Sequence, residues 1–185
     1  MILRIIGIDP GLRHTGWGIV EFKNNKLSYI GDGRISPSTS ISDGDRLFFI
    51  KYQLSEIISK YIPNKSAIEQ IFVGFGAGSS LKLGMARGVS MSVLAESGLH
   101  ITEIPPKLVK KTITGYGSAS KQQIKSMVEK LLNIIPKNED SADALAIAIS
   151  SHHIDNDYTA SNLHVANNGL NIAITKALLK EKNKS

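Results

Sequence analysis

The sequence predicts an α/β protein built on one mixed sheet, three antiparallel strands followed by parallel strands, with helices flanking it. Three observations lead to this reading. Strand-like runs crowd the N-terminus at 4–9, 15–22 and 26–33, separated by the turn signals Asp9-Pro10-Gly11 and Asn24-Asn25. Beyond Asp43, helix-like and strand-like stretches alternate, the pattern of helices packed on a sheet of mixed strand direction. The 185 residues, 42% hydrophobic and 21% charged, suffice for one domain with a sizeable core.

Each element follows from its local chemistry. Ile5, Ile6 and Ile8 make the first strand apolar, and two further strands complete a meander. Ser36–Ser42 is a polar loop. Asp43 is expected to cap a helix whose apolar positions Leu47, Ile50, Leu54, Ile57 and Tyr61 recur at spacings of three and four, until Pro63-Asn64 ends it. Ser66–Phe72 reads as a short strand, followed by the glycine-rich Gly74-Phe75-Gly76-Ala77-Gly78. Ser79–Ser97 is helical and stopped by Gly98. Its small residues Gly84, Gly88, Ser92 and Ala95 are read first as close packing on the protein's own sheet, and second as a dimer contact. Leu99–Ile104 is a strand, and Pro105-Pro106 opens a helix. Ser120 with Gln123 forms a capping box for a helix to about Ile135, and Ser141–His153 is a nearly all-apolar helix. The remainder is polar and lysine-rich. The expected organisation is therefore one domain over 1–154 and a basic tail over 155–185.

Composition narrows the function. The chain has no cysteine, which removes disulfides, thiolate zinc sites and cysteine nucleophiles. Met1 leads directly into a strand, with no visible signal peptide or membrane span, so a cytoplasmic protein is expected. The formal net charge is +6, and the segment from Pro105 to Lys137, with seven lysines and the single acid Glu129, carries all of it. Such a one-sided basic surface suits a polyanion such as nucleic acid. A solvated helix face is the alternative that composition leaves open.

Four carboxylates stand where hydrocarbon is expected. Asp9 ends an apolar strand, where the crevices of α/β sheets lie, although Asp-Pro-Gly is also an ordinary turn. Glu69 interrupts Ala67-Ile68-Glu69-Gln70-Ile71, and its alternative reading is a solvent-facing strand position. Asp140 and Asp143 share a helix face at the start of the most aliphatic helix. An acid in a first turn gains a few tenths to about 1 kcal/mol from the helix dipole, which explains one of them but not both. Clustered buried carboxylates repel one another and lose hydration, and a hard divalent cation relieves both costs. Carboxylates on separate segments plus the paired aspartates can hold two Mg²⁺ or Mn²⁺ ions about 4 Å apart, the arrangement that drives phosphodiester hydrolysis. No histidine pair has zinc-ligand spacing near them.

Gly7-Ile8-Asp9-Pro10-Gly11 with Thr15-Gly16-Trp17-Gly18, Ile68-Glu69-Gln70, Lys82-Leu83-Gly84 with Ala86-Arg87-Gly88, and Asp140-Ser141-Ala142-Asp143-Ala144-Leu145-Ala146 occur in an order and spacing that resemble the RuvC family. These are bacterial crossover (Holliday) junction endodeoxyribonucleases with an RNase H-like fold. The resemblance covers roughly residues 3–153. It implies that Asp9, Glu69, Asp140 and Asp143 are catalytic metal ligands for two Mg²⁺ ions, with Mn²⁺ able to substitute and Asp9 bridging the pair. It further implies that Lys110 and Lys121 lie near the scissile strand and that Phe72 stacks at the junction centre. The implied partners are four-way junction DNA, a second copy in a homodimer, and a branch-migration motor complex of the RuvA and RuvB type. The chain departs from the family pattern in the loop 73–78, at Met85 for the usual Gln and at Leu12 for the usual Ser. Two rival classes stand beside this reading. One is a non-catalytic junction-binding protein of the same fold. The other is an actin-like ATPase, for whose two lobes 185 residues leave no room.

Overall fold

A computed structural model of the chain describes residues 2–71 and 77–154. The chain divides into two units, 1–151 and 152–185. In the first, strands β1 (Ile2–Asp9), β2 (Thr15–Lys23), β3 (Lys26–Ile35), β4 (Lys65–Glu69) and β5 (Ile101–Ile104) form one sheet in the order β3-β2-β1-β4-β5. β1, β2 and β3 pair antiparallel, and β4 joins β1, and β5 joins β4, in parallel. This is the expected mixed sheet. Helices α1 (Asp43–Tyr61), α2 (Ala77–Glu96), α3 (Pro106–Thr114) and α4 (Lys121–Leu132) follow the strands, and a last helix, α5, spans 139–154.

Strand alternation sorts the two sheet faces. Ile6, Ile8, Ile19 and Ile68 enter the main apolar core with Ile50, Leu54 and Ile58 of α1 and Ala86, Val93 and Leu94 of α2. The other positions of β1 and β4, including Gly7, Asp9, Ala67 and Glu69, therefore share the opposite face. There α5 lies directly on the sheet. A Cβ built on Gly7 would come within 2.1 Å of the Ala144 carbonyl oxygen, and one on Gly16 within 2.1 Å of the Asp140 carbonyl oxygen. Only glycine lets the helix backbone approach so closely. Contacts at 140, 144 and 148 form a stripe along α5 with a spacing of four, and its residues 144–149 are buried.

Several boundaries differ from expectation. Ser42, not Asp43, caps α1 by accepting a hydrogen bond from the Asp45 amide, leaving Asp43 in the first turn to pair with Arg46 and Lys82. β4 ends at Glu69, which puts this residue at a strand terminus. α4 ends at Leu132, where Asn133 takes the left-handed cap conformation. The small residues of α2 do not pack on the sheet. Gly88, Ser92 and Ala95 are exposed, and α2 turns Ala86, Ser90, Val93 and Leu94 inward instead. The reading as sheet packing is thus corrected, because the small-residue stripe lies on the opposite side of the helix.

Candidate metal centre

Asp9 and Glu69 terminate neighbouring parallel strands. Ile8 pairs with Ile68, so the next residue on each strand stands beside the other at the sheet's carboxyl edge. Asp143 reaches them from α5, Lys110 from α3 and Lys121 from α4. These five side chains line one small cleft of about 140 Å³, with Val109, Ile124 and Ile147 as its apolar wall.

Charge within the cleft is unbalanced. Burial, followed by the charges of Asp143 and Glu69, pushes the Asp9 carboxyl up to about 8. Burial and the Asp143 charge raise Glu69, and burial raises Asp143 against the opposing pull of Lys121. Lys121 donates to Asp143 at 3.1 Å, and that carboxylate raises the lysine in turn. The Lys121 side chain as a whole is 76% exposed, so it reaches the cleft from the solvent side. An oxygen-only donor set with too much negative charge suits a hard divalent cation such as Mg²⁺ or Mn²⁺ and not zinc.

Asp140 departs from the expected arrangement. It lines a neighbouring cleft with Arg13, His14, Arg46 and Lys82 and accepts from Arg34 at 3.2 Å. Among the described residues no three His, Asp or Glu side chains are gathered closely enough to hold a metal ion. Lys121 pairs with Asp143, and Arg34 pairs with Asp140. The charge of Asp140 nevertheless acts on both Asp9 and Asp143. Both ion pairs involve partly exposed, flexible side chains, so the chemistry of the donor set fits the cation even though the side chains do not close around one. Phe72 and the loop through residue 76 lie outside the described residues.

Asn138 caps α5, its side-chain oxygen accepting from the Ser141 amide, so neither Asp140 nor Asp143 is the capping residue. Other supports were not apparent in the sequence. Asp32 of β3 is buried and accepts from Tyr29 Oη at 2.7 Å, Ser141 Oγ at 2.6 Å and the Lys137 amide at 2.8 Å. It thereby ties the start of α5 to the sheet. Burial, with the Asp32 hydrogen bond second, pushes Tyr29 up to about 12. Arg87 donates to the Glu69 carbonyl at 3.3 Å and pairs with Glu103, fixing the end of β4 against β5. Buried Arg46 donates to the Leu12 carbonyl at 2.9 Å, and Thr15 closes on the Gly11 carbonyl at 2.8 Å, so the loop after Asp9 is held at two points. Leu12 itself is buried in the core. Arg87 stood within the motif Ala86-Arg87-Gly88, which was one signal available. Asp32, between two glycines, gave none.

Comparison with known proteins agrees with this architecture. The sequence model of the family described as crossover junction endodeoxyribonuclease RuvC matches residues 5–152. A protein of that name from Rhodopseudomonas palustris (strain BisA53) is 46% identical over 152 residues, covering 82% of this chain and 87% of the relative. Another, from Ruegeria pomeroyi, is 46% identical over 148 residues, 80% of this chain and 89% of the relative. Among solved structures, T. thermophilus RuvC in complex with a Holliday junction substrate superposes with a TM-score of 0.74 at 28% identity, covering 80% of this chain and 92% of that one. The yeast mitochondrial Holliday junction resolvase Ydc2, at 14% identity and a TM-score of 0.57, shares the fold.

Proposed function

The chain belongs to the RuvC family of crossover junction endodeoxyribonucleases, and from that premise we propose that it resolves four-way DNA junctions by paired, symmetrical nicks in recombination and repair. The observation that carries the mechanism is the single cleft holding Asp9, Glu69 and Asp143 beside Lys110 and Lys121. Asp9, Glu69, Asp140 and Asp143 would hold two Mg²⁺ ions, with Mn²⁺ able to substitute. When bound, the ions supply an activated water and stabilise the leaving oxygen.

The chain's own residues do the rest. Asp9 must be ionised to act as a ligand, and its elevated pKa means that a cation in the cleft would draw the proton off. Lys110 and Lys121 stand at the same opening as the acids, where they would meet the phosphates of the strand to be cut. Lys121 would exchange the Asp143 carboxylate for a DNA phosphate, freeing the aspartate. Residues 1–154 would form this nuclease domain, acting in the cytoplasm, with 155–185 as a basic tail. Among the described residues no helix is long and apolar enough to cross a membrane.

A two-fold symmetric substrate calls for two equivalent sites, so the active form would be a homodimer. Its contact would use the solvent-facing stripe of α2, where Gly88 has open space beyond its Cα and Leu81 is 65% exposed. A branch-migration motor complex would deliver the junction.

The decisive experiment incubates the protein with Mg²⁺ and a synthetic four-way junction and maps the nicks. Asp143→Asn is expected to keep junction binding and lose cleavage by orders of magnitude; unchanged cleavage would refute the metal centre. A second reading, a junction-binding protein without catalysis, draws on the two ion pairs that engage Asp140 and Asp143. It predicts tight binding without nicks at any Mg²⁺ concentration.

A further inference from the structure

A larger cavity, about 450 Å³, lies between the α3–α4 loop and the outer side of α4. This is within the usual size of small-molecule sites, about 300–1,000 Å³. Gly115, in the left-handed conformation at φ 84°, ends α3 and turns the chain outward. Thr114 Oγ1 then accepts from the Tyr116 amide at 3.2 Å, and its one proton is shared between the Lys110 carbonyl at 2.9 Å and the Tyr116 carbonyl at 3.1 Å. The backbone of Tyr116 is thus pinned while its ring is 75% exposed, with no hydrogen bond or ring contact among the described residues. Ala119 and Met127 supply an apolar floor, Gln122 and Ser126 a polar rim, and Lys130 a cation at the edge. The two glutamines differ. Gln123 uses its amide in the capping box, whereas Gln122 is exposed and its amide has no partner among the described residues.

An aromatic face, a thioether, a free carboxamide and an ammonium group match the parts of one nucleotide. The base stacks on the ring, its edge meets the amide, and its phosphate meets the lysine. The location adds a second argument. Lys121 faces the acid cleft and Gln122, the next residue, faces this cavity, so the two sites adjoin along the first turn of α4. We propose that this cavity seats a single unstacked nucleobase of the DNA strand that runs past the acid cleft. The inference rests on the reading of junction DNA as substrate and adds a base-holding site beside the cut.

Two measurements test it. Junction affinity and nicking are compared for the wild type, Tyr116→Ala and Tyr116→Phe, with thermal melts to confirm folding. Separately, a thymidine trinucleotide is titrated while the Met127 methyl and Gln122 side-chain amide signals are followed by NMR. Tyr116→Ala is expected to weaken junction binding about tenfold while Tyr116→Phe retains it, as a stacking contact requires. The trinucleotide is expected to move both signals in the wild type and neither in Tyr116→Ala. The proposal is overturned if Tyr116→Ala binds and nicks like the wild type, or if the trinucleotide leaves both signals unmoved. A wild type that neither binds nor nicks junctions would remove the DNA-resolving reading instead, and the trinucleotide titration would still decide the cavity.

Discussion

Asp32 and Asp9 stand on the same face of the same sheet, beneath the same helix, and meet opposite fates. Asp32 lies across from Gly18, which pairs with Gly7, and Asp9 lies across from Gly16, which pairs with Arg34. Donors converge on Asp32 from a tyrosine, a serine and a main-chain amide. Around Asp9 the neighbours are two more acids, and the two lysines of the cleft are held at its opening. A carboxylate that builds structure is met by donors, and one left among like charges awaits a ligand. Burial alone does not separate the two cases; the company does.

The comparison would break most sharply at the catalytic level. Asp9→Asn is expected to reduce nicking by about 10²–10³-fold, the scale of removing a central electrostatic group, while Asp32→Asn leaves detectable cleavage. Single-turnover cleavage of a labelled junction measures both. Stability should respond in the reverse order. Asp32→Ala strands three donors and is expected to cost about 3 kcal/mol in urea unfolding, whereas Asp9→Asn relieves repulsion and raises stability without metal.

The pH dependence of that relief has a definite sign. Asp9 has a folded-state pKa of about 8 against an ordinary value of 3.8, so the folded state binds more protons between these values. Its contribution is fully present below the unfolded pKa and is lost as pH rises toward 8. Metal-free protein should therefore lose stability from pH 4 to pH 8, and Asp9→Asn should flatten that slope in thermal melts. Mg²⁺ should raise the wild-type melting temperature at pH 8 and leave Asp9→Asn nearly unmoved. The smallest expected effect belongs to Lys121→Ala, which should lower junction affinity and reduce the slope of log affinity against log salt by about 1.

Legibility of the sequence followed the same division. Asp9, Glu69 and Asp143 stood out because they end, interrupt and open apolar runs respectively, and a misplaced charge is visible without coordinates. The mixed sheet was legible because turn signals and helical periods are local. Asp32 was not, since Gly31-Asp32-Gly33 reads as a strand end and two of its three donors lie more than a hundred residues away, at Lys137 and Ser141. The separate setting of Asp140 was hidden for a related reason: helical spacing puts it with Asp143, but only tertiary packing brings Arg34 to it. The side taken by the α2 stripe is not legible, because small residues suit close packing on either face of a helix, and the sequence does not say which face meets the sheet.

Gly7 and Gly16 set a dimension. The gap between the strand-borne and helix-borne acids is fixed by main chain resting on main chain, where no rotamer can take up an error. Most surfaces of a protein tolerate substitution because neighbouring side chains readjust by small amounts. Here the adjustment comes in whole-atom steps: the first carbon added at either glycine wedges the helix off the sheet and moves both of its carboxylates together. Gly16→Ala would thus act on chemistry in the adjoining cleft while touching no group that performs it, and the precision of the centre is held by two residues that have no side chain.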